Sequence, residues 1–126
     1  MEVTTPGMVY IVDDDAAVRD SLSILLESHG FAVSEYASGN AFLDAYRDGG
    51  SGCIVLDMNM PGLSGLEVLN LLRDRRESVP VIAITGRGDP ALRARLVEAG
   101  ALAVFDKPIE AEDLIEALES AFAHRA

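Results

Sequence analysis

The chain has 126 residues, 21 of them acidic and 10 basic, for a net charge of −11. That length suits one domain over 1–126, with a core at about 8–122, and the charge opposes nucleic-acid binding by this chain while favouring cations or basic partners. The lone Cys53 excludes an internal disulfide, MEVTTPG at the start lacks a signal-peptide pattern, and no apolar run approaches the ~20 residues that span a bilayer, so a cytoplasmic protein off the membrane is expected.

The first apolar run, VYIV at 9–12, reads as a strand and is followed at once by Asp13, Asp14 and Asp15. Val18, Leu22, Leu25 and Leu26 then share one helical face, with Gly30 as its stop. FAV at 31–33, with Ser34 and Glu35 behind it, reads as a weaker edge strand. Ser38 caps a short helix carrying Phe42, Leu43 and Tyr46. CIVL at 53–56 is the next strand, makes Cys53 a small buried hydrophobe, and leads into Asp57. Ser64-Gly-Leu-Glu67 is a capping box ahead of Leu66, Leu69 and Leu72. VIAI at 81–84 runs into Thr85, Asp89-Pro90 starts a helix and Gly100 ends it. LAVF at 102–105 is the last strand, and Leu114, Ile115, Leu118 and Phe122 stripe the last helix.

Four of these runs are continuous, as strands buried on both faces of a parallel sheet are. Strand then helix, repeated through the chain, predicts an α/β fold: a doubly wound five-stranded parallel sheet of order 2-1-3-4-5, a flavodoxin-like (βα)5 sandwich. The winding of such a sheet reverses between its first and third strands, and ligands bind beyond the carboxyl ends there. Asp13, Asp14 and Asp57 are expected to meet at that point, with Thr85 and Lys107 on the same rim. Two carboxylates ~4 Å apart repel by about 4 kcal/mol at an effective dielectric of ~20. Lys107 offsets one charge, and a hard divalent cation offsets the others. Magnesium suits this set better than zinc, since no histidine or second cysteine is near in sequence. Asp15, just before the first helix, reads as a cap or as an acid that supports the site from behind.

Four pieces, VDDD at 12–15, LDMNMPGLSG at 56–65, ITG at 84–86 and FDKP at 105–108, each follow their own strand. Together they resemble a response-regulator receiver domain of bacterial two-component signalling, most like the nitrogen-fixation-type regulators. The resemblance implies that Asp57 accepts a phosphoryl group from a histidine kinase or phosphotransfer protein. It implies Mg2+ held by Asp13, Asp14, Asp57 and the main-chain carbonyl of Asn59. Thr85 and Lys107 contact the phosphoryl oxygens, and the Lys107–Pro108 peptide is cis. Thr85 and Phe105 form the switch, Phe105 filling space that Thr85 vacates. Asn59 and Arg87 tune the lifetime of the phosphoryl group. The readout lies on the fourth helix, fifth strand and fifth helix, where Arg93 and Arg95 face many acids and suit a phosphorylation-driven homodimer. Such a chain is not an enzyme in the ordinary sense, since it catalyses only its own phosphorylation and dephosphorylation.

The alternative is a pseudo-receiver, the same fold acting only as a protein-interaction module. A phosphatase of the haloacid dehalogenase type would want a second acid where Asn59 stands, and a nucleotide or flavin module would want a glycine-rich loop where the chain has DDDAA.

Overall fold

Short aliphatic runs form five parallel strands: β1 (Met8–Val12), β2 (Ala32–Tyr36), β3 (Cys53–Asp57), β4 (Val81–Thr85) and β5 (Ala103–Asp106). Between and after them come α1 (Ala16–Ser28), α2 (Gly39–Ala45), α3 (Gly65–Asp74), α4 (Pro90–Glu98) and α5 (Ala111–Ala123). This computed structural model describes residues 7–46, 52–86 and 89–123. The strand order is β2-β1-β3-β4-β5, the doubly wound order read from the sequence.

Successive strand residues point to opposite faces, so each strand feeds two cores. Val12, Ile54, Leu56, Val81 and Ala83 pack with Phe42, Leu69, Leu72 and Leu96 under α2, α3 and α4. Val9, Ile11, Val55, Ile82 and Ile84 pack with Leu22, Leu26, Leu114 and Leu118 under α1 and α5. Each such buried side chain contributes about 1.5–3 kcal/mol relative to exposure.

The helix starts follow local chemistry. Asp15 accepts from the N–H groups of Ala17 and Val18 to cap α1, and Asp89 does the same for Ala91 and Leu92 ahead of Pro90 in α4. Ser64 and Glu67 form the reciprocal capping box of α3. Gly100, past the end of α4, needs its glycine for the backbone. Its φ of +98° is strained for any side chain, and a Cβ there would also displace the Arg73 guanidinium, 2.9 Å away at Nε.

Two strands differ from the sequence reading. β2 begins after Phe31 and runs on to Tyr36, while Phe31 is buried against Phe122 of α5 with ring centroids 5.8 Å apart. β5, at the edge the predicted order gives it, runs from Ala103 to Asp106 and is only half-buried despite its continuous apolar run, and Leu102 before it is 51% exposed. An apolar run records what a strand packs on, not whether a further strand pairs with it.

Candidate functional site

The order β2-β1-β3-β4-β5 brings the carboxyl ends of β1 and β3 side by side. Asp13 stands one residue beyond β1 and Asp57 is the last residue of β3; they are 3% and 2% exposed. Carboxylate oxygens of Asp13, Asp14 and Asp57 all lie within 4.8 Å of one another, with Asp14 on the exposed side. Thr85, buried, closes β4, and Lys107 follows β5. The Lys107 ammonium lies 3.1 Å from Asp57 Oδ1, so this ammonium joins the three acids, and Thr85 ends the strand paired beside β3.

Main-chain bonds hold these ends in place. Met58 N–H donates to Ile84 O at 2.9 Å, Lys107 N–H to Thr85 O at 2.8 Å, and Asn59 N–H to Asp57 Oδ1 at 3.3 Å. α3 starts directly beside the acid: a Cβ on Gly65 would lie 2.5 Å from the Asp57 carbonyl oxygen. Only glycine admits that approach. The Lys107–Pro108 peptide bond is cis.

The electrostatics follow from that geometry. Burial raises the Asp13 carboxyl above its ordinary value, the Asp15 N–H opposes this, and the charges of Asp57 and Asp14 push it up further. Burial by itself would lower the Lys107 ammonium, but the hydrogen bond and charge of Asp57, with Asp13 and Asp14 behind, reverse the sign and raise it. The result is an anionic crevice with one ammonium set into its wall. It draws a cation to the acids and leaves Lys107 protonated at neutral pH.

The switch expectation for Phe105 needs correction. Phe105 is in register with Ile84 and packs with it on the α1 and α5 side, whereas Thr85 is in register with Asp106. Neighbouring residues of a strand face opposite ways, so Phe105 lies across the sheet from the space Thr85 would vacate. Val104 is the β5 residue on the Thr85 side, in register with Ala83 and packed on the α3 and α4 core. Arg93 also differs from expectation. It donates to Val104 O at 2.9 Å and lies 3.4 Å from Asp106 Oδ2, a tie within the chain between α4 and β5. Asn59 is exposed beside the site, and a Cβ on Gly86 would lie 3.1 Å from its Nδ2. Arg87 lies outside the described residues.

Sequence reasoning missed Arg19 and Glu35. Arg19 donates to the Asp13 main-chain oxygen at 2.7 Å, and its Nε lies 3.6 Å from a Glu35 carboxylate oxygen. Nothing in the local pattern of α1 or β2 marks either residue; the turn from β1 into α1 brings Arg19 back to Asp13, and the pairing of β1 with β2 brings Glu35 to Arg19.

The family model for the response regulator receiver domain matches residues 9–119. The chain belongs to that family. It is 42% identical over 119 residues to the transcriptional regulatory protein FixJ of Bradyrhizobium diazoefficiens, covering 94% of this chain and 58% of that protein. It is 41% identical over 115 residues to the response regulator protein TmoT of Ectopseudomonas mendocina, covering 91% of this chain and 52% of that one. This receiver thus spans little more than half the length of the curated relatives it matches. Among solved structures, FixJ-N superposes with a TM-score of 0.83 at 38% identity, covering 100% of this chain and 98% of that one. The response regulator StyR gives 0.87 at 39%, covering 92% and 59%. The receiver is therefore one of a two-component response regulator, and among its described residues no helix is long and apolar enough to cross a membrane.

Proposed function

We propose that this receiver is a cytoplasmic phosphoacceptor that takes a phosphoryl group onto Asp57 from a phosphohistidine of a histidine kinase or phosphotransfer protein. The observation that carries the reading is Asp57 itself, a nearly buried carboxylate within 4.8 Å of two other acids and 3.1 Å from an ammonium. The donor set fits Mg2+. All three groups offer hard oxygens, and the exposed Asp14 leaves room for the waters that Mg2+ retains. Asp13, Asp14, Asp57 and the Asn59 carbonyl would hold it, and when bound it supplies positive charge to the phosphoryl oxygens.

Asp57 is placed to attack because α3 and the Met58 and Asn59 amides fix its main chain and carboxylate. One carboxylate oxygen forms the new P–O bond, the P–N bond to the donor imidazole breaks, and the ring nitrogen keeps that electron pair. Charge spreads over the phosphoryl oxygens in a loose transition state. Lys107 meets that charge from the β5 side, and Thr85 offers a hydroxyl from β4. Positioning and charge supply the catalysis, so a small phosphodonor replaces the kinase and no separate substrate is turned over. A cleft of about 620 Å3 beside Asp13 and Lys107, walled by Val18, Leu22, Pro108 and Ile109, gives the donor an apolar approach.

Phosphorylation adds close to two negative charges at Asp57. Thr85 moves to bond them, and the packing of Val104 and the Arg93 tie carry the change to α4, β5 and α5. Water attacks the acyl phosphate to end the signal, with Asn59 and Arg87 set to tune that step. The pseudo-receiver alternative gains no observation in its favour, since every side chain the chemistry needs is present.

Intact mass after incubation with phosphoramidate, with and without MgCl2, tests the reading. The expected result is a Mg2+-dependent gain of one phosphoryl group that Asp57→Asn abolishes. No gain in wild type with any small donor overturns it.

A further inference from the structure

We infer that Arg19 is a positioning residue for the cation site, setting the direction of the Asp13 carboxylate through the main chain. The inference rests on the cation-dependent reading above. Asp13 lies just past the ladder: β1 pairs with β2 and with β3 only as far as Val12. Beyond that point the loop must turn into α1, and the carbonyl of Asp13 needs a donor that no strand supplies. A buried carbonyl left without one costs about 1–3 kcal/mol. Arg19, one turn into α1, provides it at 2.7 Å.

The guanidinium is itself held. Its Nε faces Glu35 Oε1 at 3.6 Å, and Glu35 Oε2 accepts from Ser23 Oγ, a buried serine of α1, at 2.5 Å. The Arg19 and Glu35 side chains are 19% and 36% exposed, so both are partly withdrawn from water. A planar guanidinium oriented on one edge presents its remaining N–H groups in a fixed direction. Asp13 is thereby fixed three ways. Its N–H donates to Tyr36 O at 3.1 Å, its carbonyl accepts from Arg19, and its Oδ1 accepts from the Asp15 N–H at 2.9 Å. The first two bonds set the backbone and the third sets the carboxylate rotamer. Arg19 meets the oxygen of the main chain and not the carboxylate, so it acts on a cation by placement and not as a competing charge. The edge strand β2 is in this way wired to the acid trio: Glu35 to Arg19 to Asp13.

Titration of the whole chain with MgCl2 in a calorimeter, with thermal midpoints measured alongside in the absence of cation, separates positioning from plain stabilisation. Asp13→Asn is the control that abolishes binding. Arg19→Ala is expected to weaken Mg2+ binding about tenfold, the scale at which groups that orient metal ligands act. Arg19→Lys, whose ammonium still reaches the carbonyl, recovers most of that loss. Glu35→Gln weakens binding about threefold, the scale of a partly exposed ion pair, and adds nothing in the Arg19→Ala background because the two act in series. Variants at Arg19 and Glu35 that bind Mg2+ as wild type does, whatever their midpoints, overturn the inference and leave the cation site standing. A wild-type chain that binds no Mg2+ overturns both. If Arg19→Ala does not fold, Glu35→Gln decides alone: a threefold loss supports the placement role and unchanged affinity removes it.

Discussion

Burial raises the Asp13 carboxyl, and the charges of Asp57 and Asp14 push it the same way. A carboxyl raised in the folded state holds more protons folded than unfolded, so its contribution to stability falls as pH climbs from the ordinary 3.8 through the raised value. At pH 7 and without divalent cation Asp13 is therefore a cost, which Asp13→Asn removes. The variant is expected to melt above wild type under those conditions, by about 3–5 °C for each kcal/mol recovered. Excess MgCl2 should reverse the order, because wild type gains from binding and the variant does not. Lys107 has the opposite sign. Its raised value means that its contribution is fully present below the ordinary 10.5 and is lost as pH rises through the folded value. Lys107→Met should slow phosphoryl uptake about 100-fold, by the measure of one preorganised charge donor removed, when initial rates are followed by intact mass.

The helix caps were legible as three- or four-residue patterns, because a cap needs only its own first turn. Asp15 is the informative case, since it adjoins two proposed cation ligands yet spends its carboxylate on the N–H groups of Ala17 and Val18. Asp15→Ala should lower stability by about 1 kcal/mol, read from the thermal midpoint. Its Mg2+ affinity should stay within twofold of wild type; a large loss would show that Asp15 belongs to the site. β5 shows where local patterns fail. Its apolar run gave a strand and the doubly wound order its edge position, but neither gave the face of Phe105, because register with β4 decides that.

Across the whole molecule, the homodimer expected from the sequence would use the acidic surface of α5 and the exposed side of α4 and β5. Val97 and Leu102 are 60% and 51% exposed, Arg95 is exposed on α4, and the acids Glu112, Asp113 and Glu116 are exposed on α5. Arg93 is already committed within its own chain, so the charge for pairing falls to Arg95. Phosphoramidate with MgCl2 should shift the receiver from monomer to dimer in light scattering. Arg95→Glu should weaken that shift without altering the mass gained at Asp57. A phosphorylated chain that stays monomeric at all concentrations rules out the homodimer.

The sequence by itself determined the alternation of strands and helices, the doubly wound order, the caps and the acids placed one step past their strands. Each of these depends on periods and turns a few residues long, or on the few windings that right-handed crossovers permit. Only the tertiary structure decided which groups touch. It brought Asp57 within reach of Lys107, set Phe105 across the sheet from Thr85, closed Arg93 onto Asp106 and led Glu35 through Arg19 to Asp13. Most of those contacts join residues far apart in the chain, and strand register and helix packing fix them only once the sheet has closed.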